Sequence, residues 1–207
     1  MRDNRASPHL LTWNRSIGGY TVTMITTIVC VLLGLVVLLV VIGFLLPSGV
    51  TIERSITIDA AAEKIFPWVS DLKRWPQWTV WNAAEDATLA YTYPGPTIGK
   101  GGAMHWTAKK MGDGNLTITE IEPPLRLVYE LRMPTHNTTV RGELELESAG
   151  GGATRVTWLD EVDMGSNPLK KWFGPLLKKI LGTAFARNLV GLKTAAMTGC
   201  ASGPGPK

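Results

Sequence analysis

The sequence predicts an α+β domain, a curved antiparallel sheet wrapped on a long C-terminal helix, preceded by one transmembrane helix. Three observations predict it. Ser16 to Ile52 carries no charged side chain, and its centre, Met24 to Leu46, is almost pure Val, Leu and Ile. Between Leu89 and Glu161 the apolar period is two, with breaks at Gly- and Pro-rich turns. From Pro175 to Met197 apolar residues return at helical spacing.

The first element is the apolar run. As a helix, Met24 to Leu46 would be roughly 34 Å long, enough to cross a bilayer with some tilt. A cleavable signal peptide would have an apolar region of about 7 to 15 residues and a small-x-small cleavage site. This run is longer, and Pro47-Ser48-Gly49 does not match such a site. Arg2, Arg5 and Arg15 precede the run, and Arg54 and Lys64 are the nearest bases after it. That asymmetry predicts a single-pass membrane protein with a cytoplasmic N-terminus and an exported C-terminal domain. The expected parts are a flexible arm over 1–23, the transmembrane helix over 24–46, one globular domain over 50–197 and a disordered tail over 198–207. Met24, at the head of the run, is a second candidate for the first residue. Cys30 and Cys200 lie too far apart for a disulfide.

The domain opens on a strand in which Ile52, Ile56 and Ile58 oppose Glu53, Ser55 and Thr57. Asp59 stands where a helix cap belongs, and Ala60 to Val69 reads as a short helix with Glu63 in its first turns. Pro67 must distort that helix or sit at a break. Trp75 to Trp81 reads as a second short helix or an ordered loop. Six strands follow, over 89–93, 103–109, 115–122, 125–133, 140–147 and 154–161, an antiparallel meander. Leu127, Tyr129, Leu131 and Met133 share one face, and Val156 and Trp158 oppose Arg155 and Thr157. The final helix has length to lie across such a sheet. Leu177, Ile180, Leu181, Ala184, Phe185, Asn188, Gly191, Leu192 and Ala195 fall on its inner arc.

The stretches Ile56 to Phe66, Asp71 to Trp78, Gly99 to Trp106, Thr154 to Trp158 and Phe185 to Lys193 resemble the START-like, SRPBCC helix-grip superfamily. Polyketide cyclase/dehydrase-type and Bet v 1-type proteins belong to it. The likeness runs from Val50 to about Thr194. It implies a hydrophobic ligand held between sheet and helix, and implies a reaction for only some members.

A site would lie where large sheet residues face small helix residues. Trp106, Leu127, Tyr129, Met133 and Trp158 on the sheet, with Phe185, Asn188 and Leu192 on the helix, are the expected ligand-binding residues. The same pattern fits a filled core in which these side chains interlock. Asn188 would orient a ligand or bond a turn. Trp75, Trp78 and Trp81, with Trp68 beside them, would form a lid or a membrane-interface belt, or would anchor the two short helices.

Catalytic signals are sparse. His9 lies in the arm, His136 in a turn, and His105 should face solvent if Trp106 faces in. No zinc spacing and no nucleophile elbow occurs, so no metal and no cofactor is expected. Asp160, Glu161 and Asp163 read as a solvated strand end rather than a general base. Tyr91, Tyr93 and Tyr129 would suit polarisation of a carbonyl or ordinary packing. From Met164 onward there are Lys170, Lys171, Lys178, Lys179, Arg187, Lys193 and Lys207 and no acid. With Trp172 and Phe173 this fits an anionic membrane surface, or a helix face paired with the acidic sheet. Nucleic acid is not an expected partner, because the net charge is only +4 and no binding motif accompanies it. The partners expected are a membrane and a hydrophobic small molecule. The function that the apolar run and the resemblance together imply is membrane-anchored binding of a lipid or polyketide-like molecule. The alternatives are a cyclase or dehydratase acting on such a ligand, and an envelope scaffold that binds another protein.

Overall fold

The computed structural model of the chain describes residues 13–134 and 138–201. His9, His136 and most of the expected arm and tail lie outside the described residues. The chain divides into two compact units, Met1–Leu46 and Pro47–Lys207.

The first unit holds helix α1, Trp13–Leu45. Its stretch Thr23–Leu45 is long and apolar enough to cross a membrane. The helix starts earlier than the apolar run does. Extending a helix adds one hydrogen bond per residue fixed, whereas starting one is unfavourable, so a helix set by the apolar run propagates into its flank.

The second unit is the α+β domain. Strand β1 (Gly49–Ile58) leads to α2 (Ala62–Ser70), a 3-10 turn at Leu72–Arg74 and α3 (Trp75–Trp78). Then come β2 (Ala90–Thr92), β3 (Ala103–Thr107), β4 (Gly114–Glu122), β5 (Arg126–Met133), β6 (Thr138–Gly150) and β7 (Ala153–Asp163). Two helices close the domain, α4 (Pro168–Lys171) and α5 (Gly174–Ala201). The sheet order is β1-β7-β6-β5-β4-β3-β2, antiparallel at every pair. A register shift between Ile118 and Glu120 marks a bulge in β4. Such an extra residue bends its strand and increases the local twist.

One sheet face is wet. Arg126 reaches across it to Glu143 and to Glu120, the latter at 2.9 Å. The covered face buries Ile52, Ile58, Leu116, Ile118, Leu127, Tyr129, Leu144, Leu146, Val156 and Trp158 against α2, α3 and α5. Helix α5 is buried along Phe185, Asn188, Leu189, Leu192 and Ala196. Ile180, expected on that stripe, is 57% exposed, because the first turns of α5 bury fewer residues than its middle. At Gly191 helix α5 meets α3 closely. A Cβ there would sit 2.2 Å from the Trp78 carbonyl oxygen, so only glycine permits the approach.

Two local expectations change. Asp59 does not cap α2: Ala61 holds the cap position in an extended conformation and makes no side-chain cap bond. Asp59 instead lies 3.5 Å from Lys193 Nζ, an exposed pair of small energetic weight. Pro67 sits inside α2 without ending it. The helix is held by burial of Ile65, Phe66 and Val69 rather than by its own hydrogen bonds alone.

Candidate ligand cavity

The sheet and α5 fit tightly at one end and separate at the other. At the tight end Trp158 is the hub. Its ring stacks on Phe185 with centroids 4.6 Å apart. Trp78 and Trp75 meet it edge-on at 5.6 and 5.8 Å. The indoles of α3 are tied back to α2, with Trp75 Nε1 donating to the Val69 carbonyl at 2.9 Å and Trp78 Nε1 to that of Trp68 at 3.0 Å. The large and small side chains therefore interlock at this end and stand apart at the other. This end is a filled core. Toward β2, β3 and the first turns of α5 a cavity of about 540 Å³ remains.

Its walls are apolar and come from every layer. The sheet contributes Met104, Trp106, Leu116, Leu131, Met133 and Val140. Leu177, Leu181 and Phe185 line it from α5, and Trp75 and Trp81 from the α3 region. Phe173 and Lys170 lie on it from the α4–α5 corner. Trp106 is aimed inward by its pairing with Gly114, where a Cβ would stand 2.2 Å from the indole ring. Its Nε1 donates to the Gly112 carbonyl at 3.1 Å. His105, one residue back, bonds Asn115 and does not line the cavity.

Of the residues expected to touch a ligand, Trp106, Tyr129, Met133 and Phe185 line the cavity, as do Trp75 and Trp81 from the expected lid. Leu127, Trp158 and Leu192 do not; each is fully buried in the filled end. Trp78 is likewise packed into the core, at 3% exposed. Asn188 does not line the cavity either. Its Oδ1 accepts from the Val80 backbone N–H at 2.7 Å and so fixes the loop after α3. Its Nδ2 is buried with no partner among the described residues.

At Asp160 a solvated strand end was expected, and the residue lies on the cavity wall instead. Asp160 is 4% exposed and lines the wall, while its neighbours Glu161 and Asp163 are exposed. Tyr129 Oη donates to Asp160 Oδ1 at 2.6 Å. Trp158 Nε1 donates to Tyr129 Oη at 2.8 Å and to the same carboxyl oxygen at 3.1 Å. Burial pushes the Asp160 carboxyl up to about 7, against the two hydrogen bonds, which favour its charged form. Burial, then the charge of Asp160, pushes the Tyr129 hydroxyl well above its ordinary value, so it stays a donor. The network depends on Gly142 of β6, which faces both Tyr129 and Asp160 in register. A Cβ on Gly142 would fall 2.0 Å from Tyr129 Cζ.

A family model described as polyketide cyclase / dehydrase and lipid transport matches residues 49–197. The chain belongs to that family. No curated protein matches the sequence. Among solved structures, a hypothetical protein from Helicobacter pylori aligns with TM-score 0.56 at 10% identity, over 70% of this chain and 87% of that one. A Thermobifida fusca protein aligns with TM-score 0.54 at 20% identity, over 70% and 92%. A START superfamily protein from Mycobacterium smegmatis aligns with TM-score 0.53 at 15% identity, over 72% and 98%. These likenesses establish the START-like, helix-grip fold. The family description spans polyketide cyclase / dehydrase and lipid transport.

Proposed function

We infer that the protein is a membrane-anchored binder of one apolar small molecule, held in the cavity between the sheet and the first half of α5. The observation that carries this reading is the cavity itself: about 540 Å³, walled by Met, Leu, Val, Trp and Phe side chains. Each 100 Å² of apolar ligand surface removed from water there contributes about 2.5 kcal/mol. Helix α1 is the anchor, with its N-terminus cytoplasmic and the domain on the far side of the membrane.

The α4–α5 corner supports a membrane source for the ligand. Leu169, Trp172, Phe173, Leu176 and Ile180 are all exposed there, between 42% and 63%. Lys170, Lys171, Lys178 and Lys179 are interspersed with them and no acid follows Asp163. Bulky apolar side chains mixed with lysines suit an interface rich in anionic lipid. Phe173 and Lys170 belong both to this corner and to the cavity wall. Within the domain, the Met164 N–H donates to the Ser48 carbonyl at 2.8 Å, which ties the end of β7 to the start of β1. The cyclase or dehydratase alternative draws on Asp160 alone, since Tyr129 turns its hydroxyl to Asp160 and Tyr91 donates to the Trp81 carbonyl at 2.6 Å.

The test uses the full chain in lipid nanodiscs. Brominated dodecane should quench the fluorescence of Trp75, Trp81 and Trp106 saturably, at one molecule per chain. The Leu131→Phe/Val140→Phe variant, which fills the cavity, should lose the saturable part. Quenching that is linear in wild type, or unchanged in the variant, rejects the cavity as the binding place.

A further inference from the structure

The hydrogen bonds around Asp160 leave one oxygen uncommitted. Oδ1 receives both Tyr129 Oη and Trp158 Nε1, whereas Oδ2 has no hydrogen-bond partner among the described residues. The carboxyl lines the cavity, so Oδ2 is the oxygen that a ligand would meet. The other polar groups there differ. Tyr91, Trp106 and Thr79 each donate to a backbone carbonyl, Tyr129 donates to Asp160, and neither Thr138 nor Lys170 is without a partner. This is a built arrangement, because it requires a bare position at Gly142 and the edge-on support of Tyr129 by Trp75 at 5.5 Å.

Resting on the cavity reading above, we propose that Asp160 Oδ2 is the recognition point for a single hydroxyl group on an otherwise apolar ligand. An ionised carboxylate presents only lone pairs and needs a donor. A protonated carboxyl has its Oδ1 already accepting two bonds, so its proton sits on Oδ2 and needs an acceptor. A hydroxyl is donor and acceptor at once and satisfies both states. An ether or ester oxygen satisfies only the protonated one, and a hydrocarbon leaves Oδ2 unpaired in either, which is the unfavourable case for a buried polar group. The ligand class is therefore a long-chain or polycyclic alcohol.

The test competes 1-dodecanol and its methyl ether against brominated dodecane on the full chain in nanodiscs. At pH 8.5 the alcohol should compete about tenfold better than the ether in wild type, the size expected of one hydrogen bond to a charged group. In Asp160→Asn the amide N–H faces the cavity and can donate to either oxygen, so the ratio should fall toward one. Comparing ratios cancels unequal partitioning of the two ligands into the bilayer. Wild type supplies a second arm that needs no substitution: the preference should fade between pH 8.5 and pH 5.5 as Asp160 takes up its proton. The groups facing Asp160 leave that reading clean. Tyr129 faces it from β5, Gly142 and Ile52 pair with it from β6 and β1 without charge, and Tyr91 and Lys170 are the other titratable groups on the cavity wall. Equal competition by alcohol and ether, or a preference that neither Asp160→Asn nor acid reduces, overturns the hydroxyl site while the cavity stands. Failure of brominated dodecane to bind at all overturns both.

Discussion

Gly142→Ala should remove about 3 to 5 kcal/mol of stability, a large share of the total for a domain of this size. The new Cβ would lie 2.0 Å from Tyr129 Cζ and 2.4 Å from its hydroxyl oxygen. The ring cannot move aside. It is 1% exposed, held edge-on by Trp75 at 5.5 Å, and bonded through its hydroxyl to Asp160 and Trp158. Displacing it leaves a buried carboxyl without its strongest donor, and each buried polar group so orphaned costs about 1 to 3 kcal/mol. Chemical denaturation of the full chain in detergent measures the loss. Gly95→Ala is the matching control, since a Cβ there meets nothing within 4 Å, and it should change stability by about 0.5 kcal/mol or less. A Gly142→Ala protein as stable as this control would show that Tyr129 is not fixed over β6.

Asp160→Asn should abolish a pH slope that the wild-type domain shows. The folded carboxyl titrates near 7 and the ordinary value is 3.8, so the folded state holds a proton that the unfolded chain releases between those values. The unfolded state then binds fewer protons, and stability falls as pH rises from about 4 to about 7. The size is roughly 4 kcal/mol at most, at 1.36 kcal/mol per pKa unit. Groups with lowered values act in the opposite sense. Asp86, held down to about 2 chiefly by the Thr88 side chain and backbone, and Glu143, held down chiefly by Arg126, lose their contribution as pH falls below about 4. Wild type should therefore be most stable near pH 4 to 5. In Asp160→Asn the descending limb above pH 5 should flatten, while the acid limb stays. A limb unchanged by the substitution would mean that burial does not raise the Asp160 carboxyl in the folded protein.

The elements were legible in the sequence because their periodicities are strong. The meander follows from alternation, and the gripping helix follows from the spacing of Leu181, Phe185, Asn188 and Leu192. Alternation also held the key to Asp160. Val156, Trp158, Asp160 and Val162 share one parity, so Asp160 must face inward with Trp158, yet its acidic neighbours drew it into a solvated cluster. Gly142, a glycine inside a strand pattern, was a second sign of a close approach, but only the register sets it opposite both Tyr129 and Asp160. What the sequence could not supply was depth. Parity assigns Leu127, Trp158 and Leu192 to the covered face, but not to the end where helix and sheet close. That boundary is set by the approach of α5 to α3 at Gly191 and by the bond from Val80 to Asn188, contacts between residues far apart in the chain. Asn188 was recognisable as a buried amide, but its partner is a backbone N–H 108 positions away, which no local pattern encodes.

Mass spectrometry of the intact full chain, released from its own membranes without added ligand, tests the central claim most directly. Wild type should carry one apolar molecule per chain, and the Leu131→Phe/Val140→Phe variant should carry none. Bare chains in both samples, or the same molecule retained by both, would contradict the account.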